Sequence, residues 1–197
     1  MATYTLQVTI DTSQLPDLKK SGYHLCLARK VGDTYNVIWK GDKQFLMSNE
    51  FQWTQRYRVF ASKAFEEGTL VRAASNEEDI EYKQECLFDE YGVMQSARDD
   101  PEGKEGTFDI VNKYGIINFA VSAEVNGEYS VIYNTPDAIK GNVALTPINQ
   151  VRVWFGLKAE TGTMFVDISG EYIDVKYGDK YTKEILYDAD GNWRLLG

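Results

Sequence analysis

The chain of 197 residues is 43% hydrophobic and 26% charged, enough for one large or two small domains with a true core. Its formal net charge of -9 repels phosphate backbones and anionic lipid, which argues against nucleic acid and a membrane surface as partners. No basic segment followed by an apolar run opens the chain, and no stretch approaches the roughly 18 apolar residues of a membrane span, so a cytoplasmic location is expected.

Thirteen Tyr and four Trp, with frequent Val, Thr and Ile, suit pleated, half-buried surfaces better than helices. In the first half, strand-like runs span Tyr4 to Ile10, Tyr23 to Val31, Tyr35 to Lys40, Phe51 to Ser62, Thr69 to Ala74 and Ile80 to Phe88. Gly32-Asp33, Gly41-Asp42 and Glu67-Gly68 supply turn chemistry between them. Only Thr12 to Lys20 predicts a helical turn, with Ser13 as cap and Pro16 limiting its length.

From Gln95 to Gly106 the sequence turns polar and charged, which predicts a linker over 97–106 between units 1–96 and 107–197. Strand patterns resume at Thr107 to Val111, Gly115 to Val125, Tyr129 to Tyr133 and Gln150 to Leu157. They continue at Thr163 to Ile168, Tyr172 to Tyr177, Lys183 to Tyr187 and Trp193 to Leu196.

Sliding one half along the other places Tyr35-Asn36-Val37-Ile38-Trp39 on Tyr129-Ser130-Val131-Ile132-Tyr133, a shift of 129 − 35 = 94 residues. The same shift matches Arg58 with Arg152, Val59 with Val153, Gly68 with Gly162, Thr69 with Thr163 and Glu77 with Glu171. After a small insertion, Leu87-Phe88-Asp89 meets Leu186-Tyr187-Asp188 at a shift of 186 − 87 = 99. The expected fold is therefore all-β, with two tandem homologous Greek-key-like β-sandwich units arising from an internal duplication. One continuous barrel built by duplication is the rival architecture.

Residues able to carry chemistry are few. Cys26 and Cys86 fall opposite Ala120 and Ile185, as expected of buried apolar thiols outside any disulfide. The one histidine, His24, falls opposite Asn118 and has no nucleophile-elbow motif to serve. Paired carboxylates of the glycosidase kind depend on spacing in space and stay open. No phosphate-cradling or dinucleotide glycine loop occurs, and the expectation is a binding protein with no enzymatic turnover. Asp188-Ala189-Asp190-Gly191-Asn192 alternates oxygen ligands like the start of a calcium loop, so Asp188 and Asp190 are candidate ligands for Mg or Ca; a plain β-turn is the alternative.

Arg58 and Arg152 each precede an aromatic by two residues, Phe60 and Trp154, and would share a strand face with it. Such a face can bind a planar or anionic ligand, or serve as an internal cation-π or ion-pair feature. Where the halves diverge, specialisation is expected: Trp53 opposes Pro147, Trp39 opposes Tyr133, and Tyr57 completes an aromatic assembly peculiar to the first half. Trp39, Trp53, Tyr57 and Arg58 are thus the candidate ligand-binding residues, with a place in the core as the alternative for Trp39.

This short acidic chain, with its duplicated Tyr-x-Val-Ile-aromatic and Leu-aromatic-Asp-x-x-Gly segments, resembles the small pink chromoproteins of mushroom fruiting bodies. The resemblance implies a colourless apoprotein that gains colour from a small planar, indole-like pigment, in a homodimer with a divalent cation such as magnesium nearby. Aromatic walls suit such a pigment physically. A carbohydrate-binding lectin of duplicated β-sandwich type is the alternative function, and a protein-interaction module a third.

Overall fold

The computed structural model describes residues 1–197 and is nearly all β, with one six-residue helix. In chain order, β1 covers Tyr4–Ile10, α1 Leu15–Lys20, β2 His24–Val31, β3 Lys40–Asp42, β4 Ser48–Trp53, β5 Tyr57–Ser62, β6 Glu78–Ile80, β7 Gln84–Phe88 and β8 Arg98–Asp99. The later strands are β9 Phe108–Asn112, β10 Asn118–Val125, β11 Glu128–Asn134, β12 Val143–Leu145, β13 Pro147–Gly156, β14 Tyr172–Lys176, β15 Thr182–Tyr187 and β16 Trp193–Leu196. No helix is long and apolar enough to cross a membrane.

Alternation explains most of these elements. In β1 the side chains of Leu6, Val8 and Ile10 are buried while their neighbours are half-exposed, as a period of two requires of a strand with one face on a core. The residue pattern of Phe51 to Ser62 predicts one strand. Thr54-Gln55-Arg56 breaks it into β4 and β5, which enter different sheets. Helix α1 carries Pro16 in its first turn, but its cap is Gln14, since the Ser13 hydroxyl is already committed to the Asp11 carboxylate at 2.6 Å.

Sixteen strands form four four-stranded sheets, ordered β16-β15-β1-β4, β11-β10-β5-β6, β12-β9-β7-β8 and β14-β13-β2-β3. Two of them carry a central parallel pair, β1 with β15 and β7 with β9; the other two are antiparallel throughout. Every sheet joins strands from before and after 97–106. One apolar core then serves all four, drawing on Leu6 of β1, Leu27 of β2, Val59 of β5, Phe88 of β7, Phe108 of β9, Val121 of β10, Val153 of β13 and Ile185 of β15.

This arrangement corrects the expected partition into units 1–96 and 107–197, because the hydrogen-bond ladders cross that boundary in each sheet. The expected linker itself supplies β8, in which Arg98 and Asp99 face Glu85 and Gln84. A polar composition marks solvent exposure there, and an edge strand satisfies it as well as a linker does.

The run Tyr35 to Lys40 also departs from expectation. While Glu128–Asn134 forms the ladder strand β11, residues 35–39 pair across to the second half: Ile38 N donates to Thr163 O, Gly162 N to Ile38 O and Phe165 N to Asn36 O. The run Thr163 to Ile168 is consumed in the same crossing and is no regular strand.

Candidate functional site

Strand β13 places three large apolar side chains in succession, Val153, Trp154 and Phe155, and all three are buried. A strand face can hold only alternate residues, so both faces of β13 must be covered. Val153 and Phe155 face the main core, whereas Trp154 lies on the outer face opposite Cys26 of β2. There a second, smaller apolar cluster gathers Cys26, Ala28, Tyr35, Ile38, Trp154, Ala159 and Phe165.

The cover over that outer face is the crossing of residues 35–39 with 162–165, reinforced where Gly68 N donates to Met164 O and Met164 N to Thr69 O, both at 2.8 Å. The approach is close. A side chain at Gly41 would overlap the carbonyl of Ala159, and Gly41 N instead donates to the Thr161 hydroxyl at 3.0 Å. His24 Nδ1 donates to that same Ala159 carbonyl at 3.0 Å. Lys158 is held at φ 52°, a left-handed conformation that disfavours any residue with a Cβ.

Between the crossing and the end of β13 lies a cleft of about 310 Å³, at the small end of ligand-site volumes. Its apolar wall includes Ile38, Trp154, Phe155, Leu157, Met164 and Phe165, with the Trp154 and Phe165 rings 5.2 Å apart at 54°. Glu67, Lys158 and Asp167 supply polar groups at its margin. An adjoining polar cavity of about 590 Å³ shares Gly68, Lys158 and Thr163 with it and is lined further by His24, Lys43 and Glu160. Cys26, fully buried in the small apolar cluster beneath Trp154, has its thiol pushed up to about 12 by burial and is a neutral packing group there. With Trp154 and Phe165 4% and 9% exposed, this arrangement can bury apolar surface against the edges of the two rings and orient a polar substituent.

The residues singled out by sequence lie elsewhere. Trp39, Trp53 and Tyr57 are all buried in the main core. Trp39 Nε1 donates to Ala123 O at 3.1 Å, and its ring meets Trp53 edge-on at 5.3 Å. Trp53 Nε1 donates to Asn149 Oδ1, and the ring packs on Tyr4 and Tyr177. The Tyr57 hydroxyl accepts from Arg29 Nη2 at 2.7 Å, and Arg29 stands 5.6 Å from the Trp39 and Tyr57 rings. These three aromatics are brought together, but to solvate a buried cation and fill the interior, with no open face for a ligand ring.

Arg58, one residue beyond Tyr57, points to the opposite side of β5. Its Nε donates to Asp79 Oδ1 at 2.8 Å, and its guanidinium covers Tyr129 at 3.8 Å. Arg152 repeats the pattern with Asp174 and Tyr35. The recurrence was legible; the ring partners were not, because they are Tyr129 and Tyr35 of the opposite halves, joined at Arg152 by Tyr172, and not Phe60 and Trp154.

Asp188 and Asp190 do not converge on a cation. Asp188 Oδ1 accepts from the backbone N–H groups of Asp190 and Asn192, and Oδ2 accepts from Arg194 Nε at 2.6 Å. These bonds hold the Asp188 carboxyl below its ordinary range, Arg194 contributing most. A metal there would have to displace an arginine. No group of three or more His, Cys, Asp or Glu side chains is gathered for a metal anywhere in the chain, and the divalent cation implied by the chromoprotein resemblance does not fit these residues.

Fold and cleft define a β protein with an aromatic-walled cleft outside its main core. Neither a family model, nor a curated protein, nor a solved structure matches the chain.

Sequence reasoning missed Trp154 as a site residue, along with Phe165 and Lys158. Trp154 had a signal: in Val153-Trp154-Phe155 the alternation fails, and such a run requires a second apolar layer outside the sheet.

Proposed function

We propose that the protein is a non-enzymatic carrier of a small planar organic ligand, seated against Trp154 and Phe165 in the outer cleft. The observation that carries this reading is the paired aromatic wall of a cavity large enough for a small ring system. An indole-like pigment, as in the mushroom chromoproteins, is the ligand class put forward, and the proposal includes no metal.

The two halves are read as copies of one Greek-key-like unit that exchanged strands. In support, the 94-residue shift carries the bounds of β2 onto those of β10, and the parallel pairs β1 with β15 and β7 with β9 occupy matching places in their sheets. A homodimer belongs to the same proposal, with Leu195 and Leu196 exposed on edge strand β16 as an available surface; light scattering on the purified protein tests it.

The functional reading is tested on protein purified from its native source. A visible absorption band, with release of one small organic molecule on denaturation, is the expected result. Colourless protein that releases no small molecule and binds a glycan array supports the lectin instead, for which the polar cavity beside His24 and Thr161 is the favouring observation.

A further inference from the structure

We infer that the ligand of the outer cleft is amphiphilic, a planar apolar ring bearing one anionic group, with the ring against Trp154 and the anion between Lys158 and Lys43. The inference rests on the cleft reading and adds the chemical class of the ligand to it.

Four observations carry it. First, the apolar cleft and the polar cavity meet along Gly68, Lys158 and Thr163, so a ligand entering one reaches the other. Second, the polar cavity is lined by Lys43, Lys158 and His24 against a single carboxylate, Glu160, in a chain whose net charge is -9. Third, neither lysine is neutralised internally. Ion pairs within 4.0 Å are made by Arg58, Lys83, Arg98, Arg152 and Arg194, and by no group of this cavity. Fourth, Lys158 sits in the left-handed backbone region, where glycine costs least, and yet the residue there is a cation at the junction of both cavities.

The carboxylates facing the site set its orientation. Glu67 and Asp167 line the apolar cleft but not the polar cavity. An anion is therefore repelled from the cleft margin and drawn toward Lys43, while the ring stays on Trp154. Thr161 and Thr163 add hydroxyl donors on the polar side.

Two fluorescent probes that share one ring system separate the parts: N-phenyl-1-naphthylamine, which is neutral, and 8-anilinonaphthalene-1-sulfonate, which adds a sulfonate. Both are titrated into the intact wild-type chain and into Lys158→Gln, Lys43→Gln and the double variant, each first confirmed to melt like wild type. The expected result is that sulfonate-probe affinity falls about 3- to 20-fold per lysine removed, the range from an exposed ion pair to a charge-assisted hydrogen bond, while the neutral probe binds wild type and Lys43→Gln equally and loses less affinity than the sulfonate probe in Lys158→Gln, whose side chain also borders the cleft. Added salt should weaken the sulfonate probe alone. If the sulfonate probe binds and the lysine variants leave it unchanged, the anion site is wrong while the cleft reading stands. If the variants weaken both probes equally, Lys158 only shapes the loop and the anion site is again overturned. If neither probe binds wild type, the cleft reading itself fails.

Discussion

The guanidinium of Arg152 lies 4.2 Å from the ring centroid of Tyr35, and that of Arg58 lies 3.8 Å from Tyr129. Each contact joins one half of the chain to the other, and the 94-residue shift exchanges the two. Arg152 also grips Asp174 with two hydrogen bonds at 2.7 and 2.9 Å and covers Tyr172 at 4.1 Å, all while mostly shielded from solvent. Arg58 is more exposed, and its one short bond runs to an open Asp79. Arg152→Ala is expected to cost about 1 to 2 kcal/mol and Arg58→Ala less than about 1 kcal/mol. Urea denaturation of both variants checks the order, and an equal or reversed cost contradicts it.

The core holds a cation. Arg29 is fully buried, bonded through Nε to Ile148 O at 2.8 Å and through Nη2 to the Tyr57 hydroxyl, with Nη1 unpartnered and no carboxylate paired to it. Tyr57→Phe removes one of its two acceptors and should cost about 1.5 to 3 kcal/mol, as for a hydrogen bond to a charged group. Arg29→Met in the Tyr57→Phe background should recover part of that loss, because a buried charge with failing partners costs more than an apolar replacement. The chemical melts of the two single variants and the double variant form the cycle; an additive result refutes the coupling.

Trp39 and Trp53 report on folding. With Trp39 fully buried and bonded to Ala123 O, Trp39→Ala should destabilise by about 3 to 5 kcal/mol while leaving probe affinity of the remaining folded protein unchanged. A drop in affinity without a drop in melting temperature would return Trp39 to the binding site.

Stability should fall on the alkaline side. Burial raises the Cys26 and Cys86 thiols from near 9 to about 12 and the Tyr35 phenol from near 10 to about 12, and it raises Tyr82 and Tyr177 as well. These acids stay protonated when folded and ionise earlier when unfolded. Their contribution is therefore complete below about pH 9 and is lost as pH rises toward 12, by up to about 1.4 kcal/mol per pH unit for each group fully in its window. At the acid end Asp11, Asp89 and Asp188 are held low by hydrogen bonds, so their stabilisation is present above pH 4 and fades below it. Denaturation midpoints measured from pH 3 to 11 should form a plateau with both edges. Both cysteines are free, and neither thiol should react with a thiol reagent at pH 8 until the chain unfolds.

Much of the fold was legible because strand alternation is local. Tyr4 to Ile10 and Trp193 to Leu196 coincide with β1 and β16, and most other runs lie within two or three residues of a strand. The pairing of strands across the two halves was not, because pairing is non-local: nothing in Val8 announces that it lies beside Ile185. For the same reason Trp39 and Trp53 read as site residues although the core takes them. The cleft was the least legible feature. It forms where Ile38, Gly68, Trp154 and Phe165, distant in sequence, are gathered by the crossing of two irregular segments. The Asp188 turn was readable as such: its Asp-x-Asp-Gly-Asn pattern is that of a side-chain-capped turn, and Arg194 completes it.

The central claim is that the outer cleft binds a small planar ligand through Trp154, and the affinity of the neutral probe for wild type, Trp154→Ala and Leu157→Glu tests it most directly. Trp154→Ala removes the larger ring of the cleft wall and, being a buried side chain, also costs stability, whereas Leu157→Glu places a charge on an exposed lip that contributes little to folding. The account predicts saturable binding to wild type, affinity about 5- to 150-fold weaker in Trp154→Ala, as loss of an aromatic ligand contact implies, and weakened binding in Leu157→Glu at an unchanged melting temperature. Equal affinity in all three folded proteins would contradict it.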